Sequence, residues 1–409
     1  MTLSPCQERA FKTLQENSEN VFLTGVAGSG KSYLIKQFLK QLSLKEFPIL
    51  ASTGAAAVLI GGRTFHSFFG LGVMEGGPDA TLARVIHDRR LAGRLKKIRG
   101  FVLDEVSMVG GAALSVAEAL CRYVLESEDP WGGLRVIAVG DFGQLPPVDQ
   151  VAGRRDWAFL SKVWQRSAWK TEYLQTVLRT EDVEYLRILN FVRDGVVNEE
   201  VAGYLEARTL IDEADLEVPY FLARRAQVDR YNADRLAALP NREVVIPTEY
   251  TGRPELKAQL KRIAPIPEKL ELKEGALVMT RINDPKYRFI NGSVGTVSQI
   301  GEKEIFIRFR RGDVAVEKTS FSLLSADGES LATARNFPLS LAYALTIHKS
   351  QGVTVDQMLT DLRGLWDPGQ AYVALSRLKS GAGLSLAGWD RDSIRVDPDV
   401  VEFHRASHG

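Results

Sequence analysis

The sequence predicts an α/β protein built on parallel sheets, with a second α/β region interrupted by an all-β insertion. Three observations carry that reading. Short apolar runs of strand character alternate with helical patterns from Val21 to about Leu174. A glycine-rich loop, Gly25-Val26-Ala27-Gly28-Ser29-Gly30-Lys31-Ser32, joins the first such run to an amphipathic helix. From Gly275 to Phe321 the pattern turns to β, and the α/β alternation then resumes at Leu341 and continues to about Trp389.

In chain order, the expected strands of the first region are Val21–Leu23, Pro48–Ala51, Phe101–Leu103 and Leu134–Val139. The helix after the glycine loop carries Leu34, Ile35, Phe38, Leu39 and Leu42 on one side. Gly61 to Asp79 interrupts the alternation with Gly and aromatics, including Phe65, His66, Phe68 and Phe69, and predicts a small loop or wedge subdomain. Arg84 to Arg99 is a basic helical stretch holding one acid, Asp88, and reads as a solvated face. In the second region Tyr185–Val192 and Gln227–Leu239 predict helices, with a strand at Pro219–Leu222 between them. The insertion predicts strands at Ala276–Thr280, Gly295–Ile300, Glu304–Phe309 and Val314–Lys318. Turns at Asn291-Gly292 and Arg311-Gly312-Asp313 separate them, and together they read as a small barrel. The basic run Ile307-Arg308-Phe309-Arg310-Arg311 in that barrel reads as a nucleic-acid contact or a solvated face. The α/β pattern returns with a strand at Leu341–Ala344.

Bulk composition narrows the partners. The 409 residues suffice for two or three domains. A net charge of +1 gives no chain-wide basic field, so any nucleic-acid site is a local groove. Two cysteines, Cys6 and Cys121, are too few for a disulfide framework or a zinc site, and they fit a reducing, cytoplasmic setting. No 18-residue apolar run or signal pattern is present, so no membrane partner is expected, and a monomer is the default.

The chemistry-bearing residues are compact. Consecutive backbone N–H groups of the glycine loop turn inward on phosphate oxygens, and the helix that follows adds its positive end. Gly25, Ala27, Gly28, Ser29 and Gly30 form the cradle, Lys31 reaches the β and γ phosphates, and the Ser32 hydroxyl holds Mg²⁺. Leu103-Asp104-Glu105 ends an apolar strand. Asp104 is the second Mg²⁺ ligand, and Glu105 orients and deprotonates an attacking water. Gly140-Asp141-Phe142-Gly143-Gln144-Leu145-Pro146-Pro147-Val148 follows the next strand, where Gln144 can sense the γ-phosphate or the water. An Asn-Lys-x-Asp base-recognition motif is absent, which argues against a GTPase switch. ATP and Mg²⁺ are the expected cofactors.

From here the sequence resembles one family. Gly-Asp-x-x-Gln-Leu-Pro-Pro-Val resembles motif III of superfamily 1 helicases. Ser52-Thr53-Gly54-Ala55-Ala56-Ala57 with Thr64-Phe65-His66-Ser67-Phe68-Phe69-Gly70 resembles the early DNA-contacting motifs of the petite-integration-frequency helicases. Ala344-Leu345-Thr346-Ile347-His348-Lys349-Ser350-Gln351-Gly352 and Ala371-Tyr372-Val373-Ala374-Leu375-Ser376-Arg377 resemble their motifs V and VI, so the match runs from residue 7 to 379.

The resemblance implies two RecA-like P-loop domains, 1–173 with the small subdomain at about 61–95, and 174–409 with an SH3-like β-barrel at about 270–328. It implies ATP between the two domains and 5′→3′ movement on single-stranded DNA with unwinding of duplex or forked DNA. G-quadruplexes and RNA–DNA hybrids are further candidate substrates. By the same resemblance Gln7 reads the adenine edge, Arg179 and Arg377 are arginine fingers, and Gly352 lets backbone approach nucleotide or DNA. Thr180 stands where the family usually has Gln after the first arginine. Expected DNA contacts are Ser52, Thr53, Gly54, Phe65, His66, Thr346, His348 and Lys349. Two other readings stay open: a RecD-like translocase, and a nucleotide-gated single-strand clamp that does not unwind. A small phosphotransferase is disfavoured by the second domain and Arg377.

Overall fold

The computed structural model describes residues 3–408 apart from 17, 149, 152, 153, 211–217, 287, 311 and 325–328. Arg311, part of the basic run and turn of the insertion, therefore lies outside the described residues. The chain divides into two compact units, residues 1–178 with 323–331, and residues 179–322 with 332–409.

The first unit is organised by a six-stranded parallel sheet. Its order is Arg63–Thr64, Ile49–Ala51, Gly100–Asp104, Arg135–Val139, Val21–Gly25 and Lys170–Leu174. The three central strands, Val21–Gly25, Gly100–Asp104 and Arg135–Val139, are short apolar runs that are almost wholly buried, as crossover helices on each side require. Lys170–Leu174 was not anticipated. It pairs with Val21–Gly25 along its whole length. Leu34, Ile35, Phe38 and Leu39 of the Lys31–Leu39 helix pack with Val21, Leu23, Val102, Ile137 and Leu174 into one core. Phe22, Phe142, Trp157, Phe159 and Trp164 form an aromatic cluster with ring centroids about 5–6 Å apart.

Because all six strands are parallel, their C-terminal ends share one edge. Ala51 pairs with Asp104, Leu103 with Ala138, and Leu23 with Val139. The segments that follow, Ser52–Gly54, Glu105, Gly140–Gln144 and the glycine loop, emerge side by side at that edge. This is where ligands collect in open α/β sheets.

The second unit has its own parallel sheet, ordered Ala344–Thr346, Tyr220–Leu222, Met358–Leu362 and Leu384–Trp389. The insertion is larger than predicted. Its main sheet is antiparallel, ordered Gly312–Glu317, Glu304–Phe309, Val294–Ile300, Leu277–Thr280 and Leu339–Leu341. Alternation puts Val297, Ile305, Ile307 and Val316 inward with Leu270, Leu272, Phe337 and Leu339. Further strands at Val244–Pro247, Glu249–Gly252 and Lys269–Leu272 precede it.

One predicted strand proves to be two. Leu339–Leu341 belongs to the insertion's sheet and Ala344–Thr346 to the parallel sheet, so the chain changes sheets at Ala342-Tyr343. Among the described residues no helix is long and apolar enough to cross a membrane.

Candidate nucleotide and DNA sites

The glycine loop takes the backbone path its glycines allow. Gly25, Gly28 and Gly30 all have positive φ, and Gly30, at +85°, sits immediately before the helix that starts at Lys31. A Cβ at Gly30 would come within 2.5 Å of Gln7 Nε2 and would displace that amide. Gln7 is 1% exposed. Its Nε2 donates to Ser29 O at 3.0 Å, and its Oε1 accepts the Ser4 N–H at 3.0 Å. The residue expected to read a base edge thus also buttresses the loop. Leu178 N–H donates to Gly28 O at 2.9 Å, a further brace the sequence did not reveal.

Lys31 Nζ donates to Gly25 O at 2.7 Å and Val26 O at 3.1 Å, so its ammonium lies within the curl of the loop. Ser29 is fully buried, and its Oγ lacks a partner. A buried hydroxyl and a ring of inward amides fit a polyphosphate. Ser32, the first-turn serine, is exposed.

Asp104 ends its strand, and its Oδ1 accepts the Glu105 N–H at 3.0 Å. Burial raises the Asp104 pKa, while that N–H and the Lys31 and Lys36 cations pull it down. Glu105 has φ +54°, a left-handed conformation that costs a non-glycine residue about 1–3 kcal/mol. The strained backbone turns the chain sharply at the sheet edge, where the acid is needed. Among the described residues no cluster of three or more metal-ligating side chains exists. Ser32 and Asp104 nevertheless fit Mg²⁺, which commonly takes one or two carboxylates plus phosphate oxygens and water.

Gln144 is 6% exposed, and its Nε2 donates to Asp141 Oδ2 at 3.5 Å. Asp141, fully buried, also accepts the Gly143 N–H at 3.1 Å. Asp141 therefore positions Gln144. The Gly-Asp-x-x-Gln spacing is its signal in the sequence.

In the second unit Arg377 is 2% exposed. Its Nε donates to Val373 O at 2.8 Å, Nη2 to Ser376 Oγ at 2.8 Å and Nη1 to Ser350 O at 3.4 Å. Val355 N–H donates to Arg377 O at 3.0 Å and fixes its backbone. Arg179 Nη1 donates to Ser376 O. Burial and the neighbouring Arg377 charge lower the Arg179 pKa to about 9. Thr180, the departure from the family pattern, is buried and its Oγ1 accepts the Asp182 N–H at 3.0 Å. Asp182 then caps the Val183–Arg193 helix through Tyr185 N–H and accepts from Ser380 Oγ at 2.8 Å. Gly352 has φ +74° with open space around it, consistent with a turn role.

The expected DNA contacts divide between the units. In the first, Ser52 Oγ is buried without a partner. Thr53 Oγ1 accepts the Ala56 N–H at 3.3 Å as the cap of the Gly54–Ile60 helix. His66 is half-buried. Phe65 is 0% exposed, packed 4.8 Å from Phe69, with Phe68 and Phe69 buried beside it. The expectation that Phe65 stacks on a base is corrected: the ring is buried between Phe69 and Phe101 of the Gly100–Asp104 strand. Arg94, from the basic stretch, lies 5.2 Å over the Phe68 ring and donates to Phe68 O, while Arg84 donates to Leu71 O at 2.7 Å. These two arginines tie down the aromatic loop. In the second unit Thr346 Oγ1 accepts the Lys349 N–H at 3.2 Å, His348 Nε2 lies 3.8 Å from Asp367 Oδ2, and Lys349 is exposed.

The chain is similar to known proteins along most of its length. A family profile described as PIF1-like helicase matches residues 2–202. The chain is 51% identical over 408 residues to the ATP-dependent DNA helicase Pif1 of Bdellovibrio bacteriovorus, covering 100% of this chain and 92% of the relative. The zebrafish (Danio rerio) ATP-dependent DNA helicase PIF1 is 34% identical over 95% of this chain, which spans only 62% of that longer protein. Among solved structures, Bacteroides sp Pif1 in complex with ADP-AlF4 gives a TM-score of 0.86 at 28% identity, covering 100% of this chain and 98% of that one. The Bacteroides Pif1 structure bound to single-stranded DNA gives 0.66 at 29% identity, covering 99% and 97%. Two RecA-like α/β units and a full-length match at this identity leave one conclusion: the chain belongs to the PIF1-like helicase family.

Proposed function

We infer that this protein is an ATP-dependent DNA helicase. The observation that carries the reading is the set of groups at one sheet edge: the glycine loop with Lys31, the Asp104-Glu105 pair and the Asp141-held Gln144. The relatives' names and the nucleotide-bound and DNA-bound structures of a relative support it.

In the proposed mechanism the loop amides, Lys31 and Ser32 hold the triphosphate. Ser32 and Asp104 would hold Mg²⁺, which would supply charge neutralisation at the phosphates. Glu105 takes the proton of the attacking water, which bonds to the γ-phosphorus as the bond to ADP breaks, leaving ADP and inorganic phosphate. Gln144 orients that water. Arg179 and Arg377 answer the charge that builds on the γ-phosphate, a role worth roughly 10³–10⁵ in rate in well-studied systems. ATP favours the state in which those arginines engage it, and hydrolysis removes the preference. Ser52, Thr53, Gly54 and His66 in one unit, and Thr346, His348 and Lys349 in the other, grip the single strand through its phosphates.

The finer reading is 5′→3′ polarity on a single strand, with duplex and forked DNA as substrates. Strand displacement with 5′-tailed and 3′-tailed duplexes tests it. Unwinding confined to the 3′-tailed substrate refutes the polarity, and single-strand-stimulated ATP hydrolysis without displacement favours the clamp.

A further inference from the structure

Arg281 directly follows the Leu277–Thr280 strand, at the foot of the inserted sheet. Its side chain is inside the protein, with the residue 8% exposed. Its backbone N–H is satisfied by Pro338 O at 2.8 Å, but its guanidinium is not similarly provided for. Among the described residues Nε is buried without a partner, and Nη1 meets only the Met279 thioether, at 3.8 Å. Among the described residues no carboxylate pairs with it. Buried arginines are ordinarily matched to acids or carbonyls, because desolvating a guanidinium is costly. Here desolvation lowers its pKa to about 10.

The foot of the sheet also abuts the loop carrying the second unit's expected strand contacts. Gly292 N–H donates to Thr280 O at 2.9 Å, and a Cβ at Gly292 would lie 2.7 Å from Val353 Cγ1 and 3.0 Å from Thr354 N. Only glycine permits that approach. Within the loop, Gln351 Nε2 is a second buried donor without a partner. Partial burial of its ammonium, then the like charges of Arg225 and Arg281, lower the Lys349 pKa. The acid facing it, Asp229, is bridged to Arg225 at 3.4 Å. The place therefore gathers cations and unused donors, and among the described residues the acid that faces Lys349 is already bridged to Arg225.

We propose that Arg281 is a phosphate-binding residue of the second unit, acting with Lys349 and Gln351 on a backbone phosphate of single-stranded DNA. A guanidinium fork and an ammonium suit phosphate oxygens, and an extra donor from an amide completes a tetrahedral anion's shell. This rests on the helicase reading above and extends it: the inserted sheet takes part in holding the strand through its root. Phosphate contacts carry no sequence information, so the residue contributes grip rather than specificity.

The test uses the full chain and a fluorescent oligo-dT across a salt series, with Arg281→Met and Arg281→Lys beside the wild type. Met matches the buried stem without the charge. It is expected to weaken oligo-dT binding about tenfold and to flatten the salt slope by about one counterion. Its melting temperature without DNA should equal or exceed the wild type's, since an unmatched buried cation has been removed. Lys should recover most of the affinity. Wild-type affinity and slope in Arg281→Met overturn the proposal. So does a lowered melting temperature in Met together with no recovery by Lys, because Arg281 is then structural. Weakened binding of a fluorescent ATP analogue with oligo-dT binding intact also overturns it, since the phosphate then belongs to nucleotide. Unwinding by the wild type is scored separately, so a neutral Arg281→Met in an active helicase defeats this inference alone.

Discussion

Arg179 and Arg377 converge on a single residue, Ser376. Arg179 donates to its carbonyl, and Arg377 Nη2 donates to its hydroxyl at 2.8 Å. Two like charges are held together by one short stretch of helix end and are largely withdrawn from water. Arg377 is thus woven into its own unit as well as proposed to act on nucleotide.

That double role sets the expected behaviour of Arg377→Ala. Single-strand-stimulated ATP hydrolysis should fall by about 10³ or more. Its melting temperature should fall as well, because Val373 O, Ser376 Oγ and Ser350 O lose their donor. Arg377→Lys should restore part of the stability but little of the turnover, since one ammonium cannot reproduce the fork. Steady-state hydrolysis with calorimetry on the same samples checks both. Near-normal turnover in Arg377→Ala would remove the arginine from the mechanism.

Glu105→Gln separates binding from chemistry. Fluorescent nucleotide should bind with roughly unchanged affinity, whereas turnover should drop by about 10²–10⁴, the usual worth of a positioned base. Loss of nucleotide binding would instead mean that Glu105 shapes the loop.

Asp104 makes stability depend on pH in a direction that can be worked out. Burial raises its folded pKa above the unfolded value, so the folded state binds the proton more tightly. Stability is then drawn off as pH rises from the ordinary Asp range through the folded pKa, and the ionised group is a liability at neutral pH. Asp104→Asn should melt higher than wild type at pH 8, with the gap shrinking as pH falls into the carboxylate range. The same substitution should abolish Mg²⁺-dependent turnover. A gap that widens toward low pH would reverse the assignment.

Phe65 is expected to matter for folding and not for DNA. Phe65→Ala should cost about 3–5 kcal/mol, the usual loss for a fully buried aromatic. Oligo-dT affinity of the folded fraction should be unchanged. Chemical denaturation and fluorescence anisotropy give the two numbers, and weakened DNA binding at full folding would reinstate the stacking role.

The sequence revealed most where chemistry lies on consecutive residues. Gly25–Ser32 and Asp104-Glu105 could be read directly, because strand, turn and catalytic group share one short segment. Alternation also foretold the insertion's strands, since inward Val297, Ile305 and Ile307 recur every second residue. What failed was partnership. Leu339–Leu341 and Ala344–Thr346 read as one apolar run, because periodicity does not say which sheet a strand joins. Phe65, Phe68 and Phe69 stand at helical spacing, a core signature that outweighs their nearness to His66. Asp141 is marked only by the spacing that ties it to Gln144, and Arg281 by nothing in the sequence, being unusual only for the acid it lacks.

The central claim is that hydrolysis at the Lys31 loop drives separation of DNA strands. Displacement from a 5′-tailed duplex, followed in real time with Mg²⁺ and ATP, tests it most directly. Strand release is expected from the wild type and none from Lys31→Ala, folded and still bound to the tail. Release by Lys31→Ala, or none by a wild type that hydrolyses ATP on single strands, would contradict it.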